Sequence, residues 1–457
     1  HQAMESAAVS QLFKQLFQHR PCRTCLGRQL RHAPRRLYSS EKQYTSPNYQ
    51  GRKKEESKIE SNWQQRNLAF PPDKLEEYKR YPQVTSDGLR ARKERPRRVR
   101  LLMRDFIEDS LYNPQYGYFS KHVVIWTPGE PFDFNQLPDE QSFYREYGQR
   151  YNDFEDQLDA KKYNETRQLW HTPTELFRPY YGEAIARHLV ANYKLQLYPY
   201  HDLLIYEMGA GNGTLMMNIL DYIRVIEVSS ALASIQGNQL MRNAQAKGHA
   251  DKVSIINKSI FDWDIYEASP CFFLAMEVFD NFAHDVIRYD PITEEPLQGS
   301  ALIDANGDFY EFYSRDIDPV ASRFLRVRDA ACSSFAYNHP LRNSPAMLRK
   351  LKSKLPFSPN LSTPESIPTR LMHFFDILHK YFPAHKLVTS DFHALPDAVE
   401  GVNAPVVQTR YQRRMVPVTT PLVHQGFFDI LFPTDFAVNE AIYRAITGKL
   451  TRVMKHE

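Results

Sequence analysis

The run Leu203-Leu-Ile-Tyr-Glu-Met208 leads directly into Gly209-Ala-Gly-Asn-Gly213 and then Thr214-Leu-Met-Met217. An apolar stretch of strand length ends in an acid, three glycines alternate with other residues, and helix-forming residues follow. This pattern predicts a buried strand over about 203–208, a tight turn and a helix over about 213–222, the first unit of a doubly wound sheet. Glycine suits the turn because the chain bends sharply and a ligand must reach bare backbone. The spacing narrows the ligand. Dinucleotide sites favour G-x-G-x-x-G, whose last glycine packs helix on strand; G-x-G-x-G after an acid-ended strand points to S-adenosyl-L-methionine.

A strand and helix rhythm continues downstream. Arg224-Val-Ile-Glu227-Val228 reads as strand two, residues 229–246 as a helix, Lys252-Val-Ser-Ile-Ile-Asn257 as strand three and Phe272-Phe-Leu-Ala-Met276 as strand four. Such alternation predicts parallel βαβ units. Asn306-Gly307 marks a hairpin. Residues 320–385 carry helical patterns broken by Pro356, Pro359 and Pro364. Lys386–Asp391 reads as a strand, Phe427–Phe432 leads into Pro433, and a last helix over 436–447 ends at Gly448. Ahead of the sheet, Val99, Leu102, Met103, Phe106 and Ile107 recur at helical period, so a helix is expected over 99–111. Residues 121–170, rich in Tyr, Gln, Asp and Glu, read as an inserted surface segment, helical near Asp153–Lys162. A further helix is expected over 181–193.

The bulk numbers set outer limits. Hydrophobic residues make up 42% of the 457, with 13% aromatic, enough for a packed core. No run reaches the roughly 18 apolar residues of a membrane span. The net charge of +4 is unevenly placed: residues 1–38 hold Lys14 and six arginines against Glu5 alone. The remainder is slightly acidic, which does not indicate a nucleic-acid binder. The basic head, with an amphipathic pattern over Ala7–Phe17 and Arg36-Leu-Tyr-Ser-Ser40 as a processing site, reads as a transit peptide for the mitochondrial matrix. Residues 39–95 are expected to be a polar, poorly ordered linker, and the basic run Arg90–Arg100 reads as a solvated basic edge leading into a helix, with a docking patch for an acidic or RNA surface as the alternative. An N-terminal helical and aromatic segment with its insert then occupies 96–200. The sheet domain occupies 201–457, with accessory insertions at about 310–385. Cys22 and Cys25 form a C-x-x-C without a second pair, and the 16 histidines show no ligand spacing, so no metal site is read.

Parallel sheets bind ligands at the carboxyl ends of their strands, and acids mark those ends here. Glu207 closes strand one, Glu227 strand two, and Glu277 and Asp280 follow strand four. S-adenosyl-L-methionine carries an ammonium, a sulfonium and two ribose hydroxyls but no phosphate, which suits a glycine loop flanked by acids. Glu227 is placed on the ribose hydroxyls. Asp262 is placed on the adenine amine, with Trp263 or Phe261 packing the ring. The cofactor candidates are therefore Glu207, Gly209, Gly211, Gly213, Thr214, Glu227 and Asp262. An arginine acceptor would be held by carboxylates, because guanidinium and carboxylate pair bidentately. Glu277, Asp280, Glu175 and Glu183 are the candidates, although each also fits a helix cap or a surface acid.

Four blocks resemble one known family: Leu111-Tyr-Asn-Pro-Gln-Tyr-Gly-Tyr-Phe119; Thr172-Pro-Thr-Glu175 with Gly182-Glu183; Tyr206–Leu215 with Ile226–Gln236; and Phe272–Phe282. A weaker block is Phe428–Phe436. They resemble the MidA-like S-adenosyl-L-methionine-dependent methyltransferases over about 100–447. The resemblance implies a Rossmann-like class I methyltransferase fold, an α/β doubly wound and mostly parallel sheet with N-terminal and inserted accessory segments. It also implies a mitochondrial protein arginine N-methyltransferase, acting on a respiratory complex I subunit or another assembly intermediate. Three departures stand out. About fifty residues separate the aromatic turn from the Thr-Pro block, Asp280-Asn-Phe-Ala replaces Asp-Ala-Leu-Pro, and the connection from helix one to strand two is short. The competing reading is a catalytically weak or inactive methyltransferase-fold protein that binds an assembly intermediate or the ribosome. RNA methylation lacks the Asn-Pro-Pro-Tyr signature of amino-directed enzymes.

Overall fold

A computed structural model describes residues 74–455, apart from 122, 226–229, 235–237, 332–338, 343–344, 353–354, 356–358 and 397. The expected transit peptide, its cysteine pair and most of the expected linker lie outside the described residues. The last part of that linker is structured: it forms α1 (Leu75–Arg80) and α2 (Ser86–Leu89), and Thr85 caps α2 by accepting the Gly88 N–H.

The helix expected over 99–111 divides. Val99–Leu102 form β1, and only Met103–Tyr112 form the helix, α3. A short apolar run satisfies either period, and here an open strand edge at residues 300–303 captures its first four residues. The segment 121–170 departs further from expectation. It contains β2 (Val123–Ile125), α4 (Glu140–Lys161) and β3 (Gln168–Trp170), and β2 and β3 pair in parallel. Far from being a surface insert, it encloses a core of its own in which Trp126, Phe132, Phe143 and Leu176 are buried. Phe143, Tyr147, Tyr151 and Phe154 form a stripe at helical spacing, apolar through aromatic rather than aliphatic residues, and Asp139 caps the helix at the Ser142 N–H, 2.7 Å. Two helices, α5 (Pro173–Leu176) and α6 (Tyr180–Gln196), lead to the sheet.

That sheet opens with β4 (Leu203–Met208) and α7 (Thr214–Val225). Arg224 and Val225, read as the start of strand two, belong to the helix instead. The apolar face of α7 runs on through Leu215, Ile219, Leu220 and Ile223, so the helix absorbs both. The strand is β5 (Ser230–Ser234), parallel to β4 from Leu203 opposite Ser230 to Glu207 opposite Ser234. Its helix, α8, spans Asn238–Lys247 rather than 229–246. Then come β6 (Val253–Ile255) and β7 (Cys271–Met276). An antiparallel group follows: β8 (Asp285–Tyr289), β9 (Pro296–Ile303) and β10 (Phe309–Ser314). The last two form the expected hairpin, with Gly307 left-handed at φ +89°. Next are α9 (Pro319–Ala331), β11 (Glu365–Ile367), α10 (Thr369–Tyr381) and β12 (His385–Ser390). The chain closes with β13 (Val406–Tyr411), β14 (Arg414–Val418), β15 (Asp429–Leu431) and α11 (Phe436–Thr447). Gly448 ends α11 at φ +69°, as its sequence suggested.

The central sheet has the order β12-β7-β4-β5-β6, all parallel. Alternate residues face opposite layers. Ile205, Phe272 and Leu274 pack under Leu189, Leu215, Met216 and Leu220 of α6 and α7. Tyr206, Phe273 and Ala275 pack with Phe324, Phe374 and Phe382. The second layer comes from α9 and α10, within the stretch expected to be accessory. Burial on both faces explains why these strands read as continuous apolar runs. After β6 the chain crosses back past β4 to lay down β7. The β4–β7 boundary is therefore the topological switch point, where a ligand crevice opens at the strand ends. The antiparallel sheet β1-β9-β8-β11, with β10 on β9, and the small sheet β14-β13-β15 complete the fold.

Candidate active site

The crevice at the switch point is a cleft of about 1670 Å³. A single small ligand needs roughly 300–1,000 Å³, so there is room for more than one group. One wall is the loop after β4. Gly209 (φ +72°) and Gly211 (φ +50°) line the cleft, while Gly213 closes the turn by donating its N–H to the Ala210 carbonyl at 2.7 Å. A Cβ on Gly211 would stand 2.7 Å from Ile125 Cδ1, and one on Gly209 3.2 Å from Val278 Cγ2. The bare backbone thus serves close packing against β2 and the β7 exit as well as ligand approach. This second demand on the glycines is not visible in the sequence.

Glu207 sits on β4 and lines the cleft at 4% exposure. Its Oε2 has no hydrogen-bond partner among the described residues, and burial pushes its pKa up to about 8. An ionised carboxylate held this way is unfavourable until a cation or hydroxyl donor arrives. The residues present therefore fit a ligand with an ammonium, a sulfonium and hydroxyls, as S-adenosyl-L-methionine has. Asp262 also lines the cleft, from a turn at Ile260–Asp262, and its Oδ2 accepts from Arg90 Nη1 at 3.1 Å. Trp263 does not reach the cleft. It is buried against Tyr206 and Phe382 and donates to the Ile265 carbonyl at 2.6 Å, which leaves Phe261 as the ring on that wall. Glu227 lies outside the described residues, and β5 starts three positions after it.

The other sequence-derived acids separate. Glu175 lines the cleft, but its Oε1 accepts from Thr214 Oγ1 at 2.6 Å and Asn212 Nδ2 at 3.1 Å. In this position it braces the glycine loop, and the Thr214 hydroxyl is committed to it. Glu183 lies in the first turn of α6 and is not among the residues lining the cleft. Glu277 and Asp280, by contrast, both line the cleft, on the β7 exit that packs beside the glycine loop. Glu277 is a left-handed residue at φ +55°, and its enclosure and the neighbouring Asp391 push its pKa up to about 8. Asp280 is 2% exposed, and its Oδ1 has no partner among the described residues. Burial, with Asp391, Asp429 and Glu277 around it, raises its pKa well above the usual carboxylate value.

Asp391 and Asp429 were not singled out from the sequence. Asp391 follows β12 just as Glu277 follows β7, so an acid at a strand end, the signal that found Glu207, applied there too. Asp429 lies within a weakly patterned run and gave no such signal. Its Oδ1 accepts from Asn281 Nδ2 at 3.2 Å, and burial raises its pKa well above normal. Tyr112, Tyr147 and Trp170 complete the aromatic side of the cleft.

Residues 184–454 match the model of a family described as "Putative S-adenosyl-L-methionine-dependent methyltransferase". The Schizosaccharomyces pombe protein named "Protein arginine methyltransferase NDUFAF7 homolog, mitochondrial" is 25% identical over 324 residues. That alignment covers 66% of this chain and 66% of that protein, just under two thirds of its length. Among solved structures, a superfamily member from Burkholderia thailandensis bound to S-adenosyl-homocysteine aligns at 15% identity and a TM-score of 0.46, covering 76% of this chain and 72% of that one. A native structure from the same organism gives 13% identity and a TM-score of 0.43, covering 76% and 71%.

Proposed function

The chain belongs to the S-adenosyl-L-methionine-dependent methyltransferase family whose model spans residues 184–454, and from that premise we propose that it is a mitochondrial protein arginine N-methyltransferase. The observation that carries the arginine reading is the unpartnered Oδ1 of Asp280 near Glu277, on the cleft lining at the β7 exit next to the glycine loop. A buried carboxylate without a partner is costly, and a guanidinium supplies both the charge and paired N–H donors. The matrix location rests on the basic head at 1–38 and on the name of the fission-yeast relative. A respiratory complex I subunit as substrate rests on the family resemblance.

When bound, the cofactor supplies an electrophilic methyl group on a sulfonium. The glycine loop, Glu207 and Asp262 would hold it, with Glu227 on the ribose. Asp280 and Glu277 bind the arginine side chain and orient one nitrogen toward the glycine-loop wall. The aromatic wall of Tyr112, Tyr147 and Trp170 keeps water from the guanidinium. The methylated nitrogen must shed a proton, and Glu277, with its pKa near the working pH, is suited to accept it.

The test is calorimetry with S-adenosyl-L-methionine together with mass spectrometry of methylarginine in mitochondrial extracts. Asp280→Asn should leave cofactor affinity within about threefold and reduce arginine methylation by at least about a hundredfold. Methylation unaffected by Asp280→Asn would remove the guanidinium assignment. Cofactor binding with no arginine methylation by the wild type would favour the competing reading, a binding protein on a methyltransferase fold.

A further inference from the structure

We propose that Asp391 is a positioning residue that holds Glu277 and Asp280 in place by capping the turn that carries them. The proposal deepens the arginine-methyltransferase reading and rests on it for the effect on turnover. The capping itself stands on geometry alone.

The register of the sheet puts Asp391 there. β12 runs parallel to β7 with Ser390 opposite Met276, so the next residue on each strand is Asp391 on one side and Glu277 on the other. Glu277 donates its N–H to the Ser390 carbonyl at 2.8 Å, one last rung past the strand end. The chain then turns through left-handed Glu277 into the short turn Phe279–Asn281. A left-handed residue with a side chain is strained and persists only where its surroundings fix it. The leading N–H groups of such a turn need acceptors, and Val278, the residue in the capping position, has no side chain able to provide one. Asp391 provides it from the neighbouring strand. Its Oδ2 accepts from Phe279 N at 2.7 Å and Asp280 N at 3.3 Å, and its Oδ1 accepts from its neighbour Phe392 N at 2.8 Å. Two more backbone bonds fasten the arrangement from the far side: Phe432 N to the Asp280 carbonyl and Thr434 N to the Phe392 carbonyl, both 2.7 Å.

These three N–H donors also decide where the negative charge sits. They favour the ionised form of Asp391 against the burial that opposes it. Asp280 has an unpartnered oxygen and three acidic neighbours, so it is the member that keeps a proton until a cation arrives. The groups facing the pair are Glu277 on the β7 exit, Asp429 on β15, Tyr112 and Glu108 on α3 with Arg370 of α10 bound to Glu108, and Tyr181 on α6. Arg370 is the only cation among them, and it is already paired at 3.1 Å.

The experiment uses the full chain, with Asp391→Ala removing cap and charge and Asp391→Asn keeping an acceptor without the charge. Hydrogen exchange over residues 277–282 reads the cap without substrate. Asp391→Ala should speed exchange of the Phe279 and Asp280 amides by about tenfold or more, and Asp391→Asn by less than about threefold. Cofactor affinity measured by calorimetry should stay within about threefold in both variants, which also shows that they are folded. Asp391→Asn should move the acid limb of kcat/KM on an arginine peptide about one pH unit lower, because Asp280 and Glu277 then ionise more easily. Unchanged exchange in Asp391→Ala overturns the cap, and an unmoved pH profile in Asp391→Asn overturns the electrostatic role. If the wild type methylates no arginine while the exchange result holds, the cap stands and only the arginine reading falls.

Discussion

Glu207 shows how one buried side chain ties stability to ligand binding. Its pKa stands near 8 in the folded protein against an ordinary 4.5. Between those values the folded state binds more protons than the unfolded state, so stability falls as pH rises through that window. Glu277 acts in the same direction. Glu207→Gln keeps the shape and removes the titration. It should therefore melt at a higher temperature than wild type at pH 8 and at the same temperature near pH 4.5, by scanning calorimetry without ligand. Equal melting at both pH values would show that Glu207 is not held in a desolvated site. Glu207 and its glycines were legible in the sequence because a strand, an acid and a turn lie within eleven consecutive residues. The acid pair at the β7 exit was half legible. Glu277 and Asp280 follow one strand, but Asp391 reaches them from more than a hundred positions away, and only the parallel pairing of β12 with β7 brings it there.

At the scale of elements, the wall made by β2, α4 and β3 was misjudged from sequence, and its anchorage explains why. Its contacts are with distant partners. Arg410 of β13 reaches Glu155 of α4 with Nη1 at 2.5 Å and Nη2 at 2.6 Å, and Arg413 reaches Asp159 at 2.5 Å. Glu155 and Arg410 are both buried, so a run of acids and glutamines that reads as solvated surface in fact faces an internal ion pair. Removing one partner of such a pair strands the other. Glu155→Ala should cost about 3–5 kcal/mol, measured by denaturant unfolding, whereas replacing both residues with methionine should cost much less. Glu155→Ala should also raise hydrogen exchange over 123–170. Equal losses in the single and double variants would show that the pair does not anchor α4. The strands of the central sheet, by contrast, were legible to within a residue or two at β4, β6, β7 and β12, and β4 and β7 among them are almost wholly buried. β5 was displaced because α7 continues through Arg224 and Val225, the start of the stretch read as strand.

For the whole molecule, the order β12-β7-β4-β5-β6 places the glycine loop on one side of the switch point and the Glu277–Asp280 turn on the other. In the proposed function the β4 side carries the carboxylate assigned to the cofactor, and the β7 side those assigned to an acceptor. If Glu207 holds the cofactor's positive charge as proposed, binding below about pH 8 expels a proton from it. Isothermal titration in buffers of different ionisation enthalpy should show about one proton released per S-adenosyl-L-methionine bound at pH 6.5 and close to none at pH 9. Affinity should rise by up to about tenfold per pH unit until it levels off near pH 8. Asp280→Asn should release the same proton, because that carboxylate lies on the acceptor side of the switch point, whereas Glu207→Gln should release none and lose the pH dependence. Proton release that survives Glu207→Gln but disappears in Asp280→Asn would reverse the assignment of the two sides, with the cofactor's charge resting against the β7 exit rather than the glycine loop.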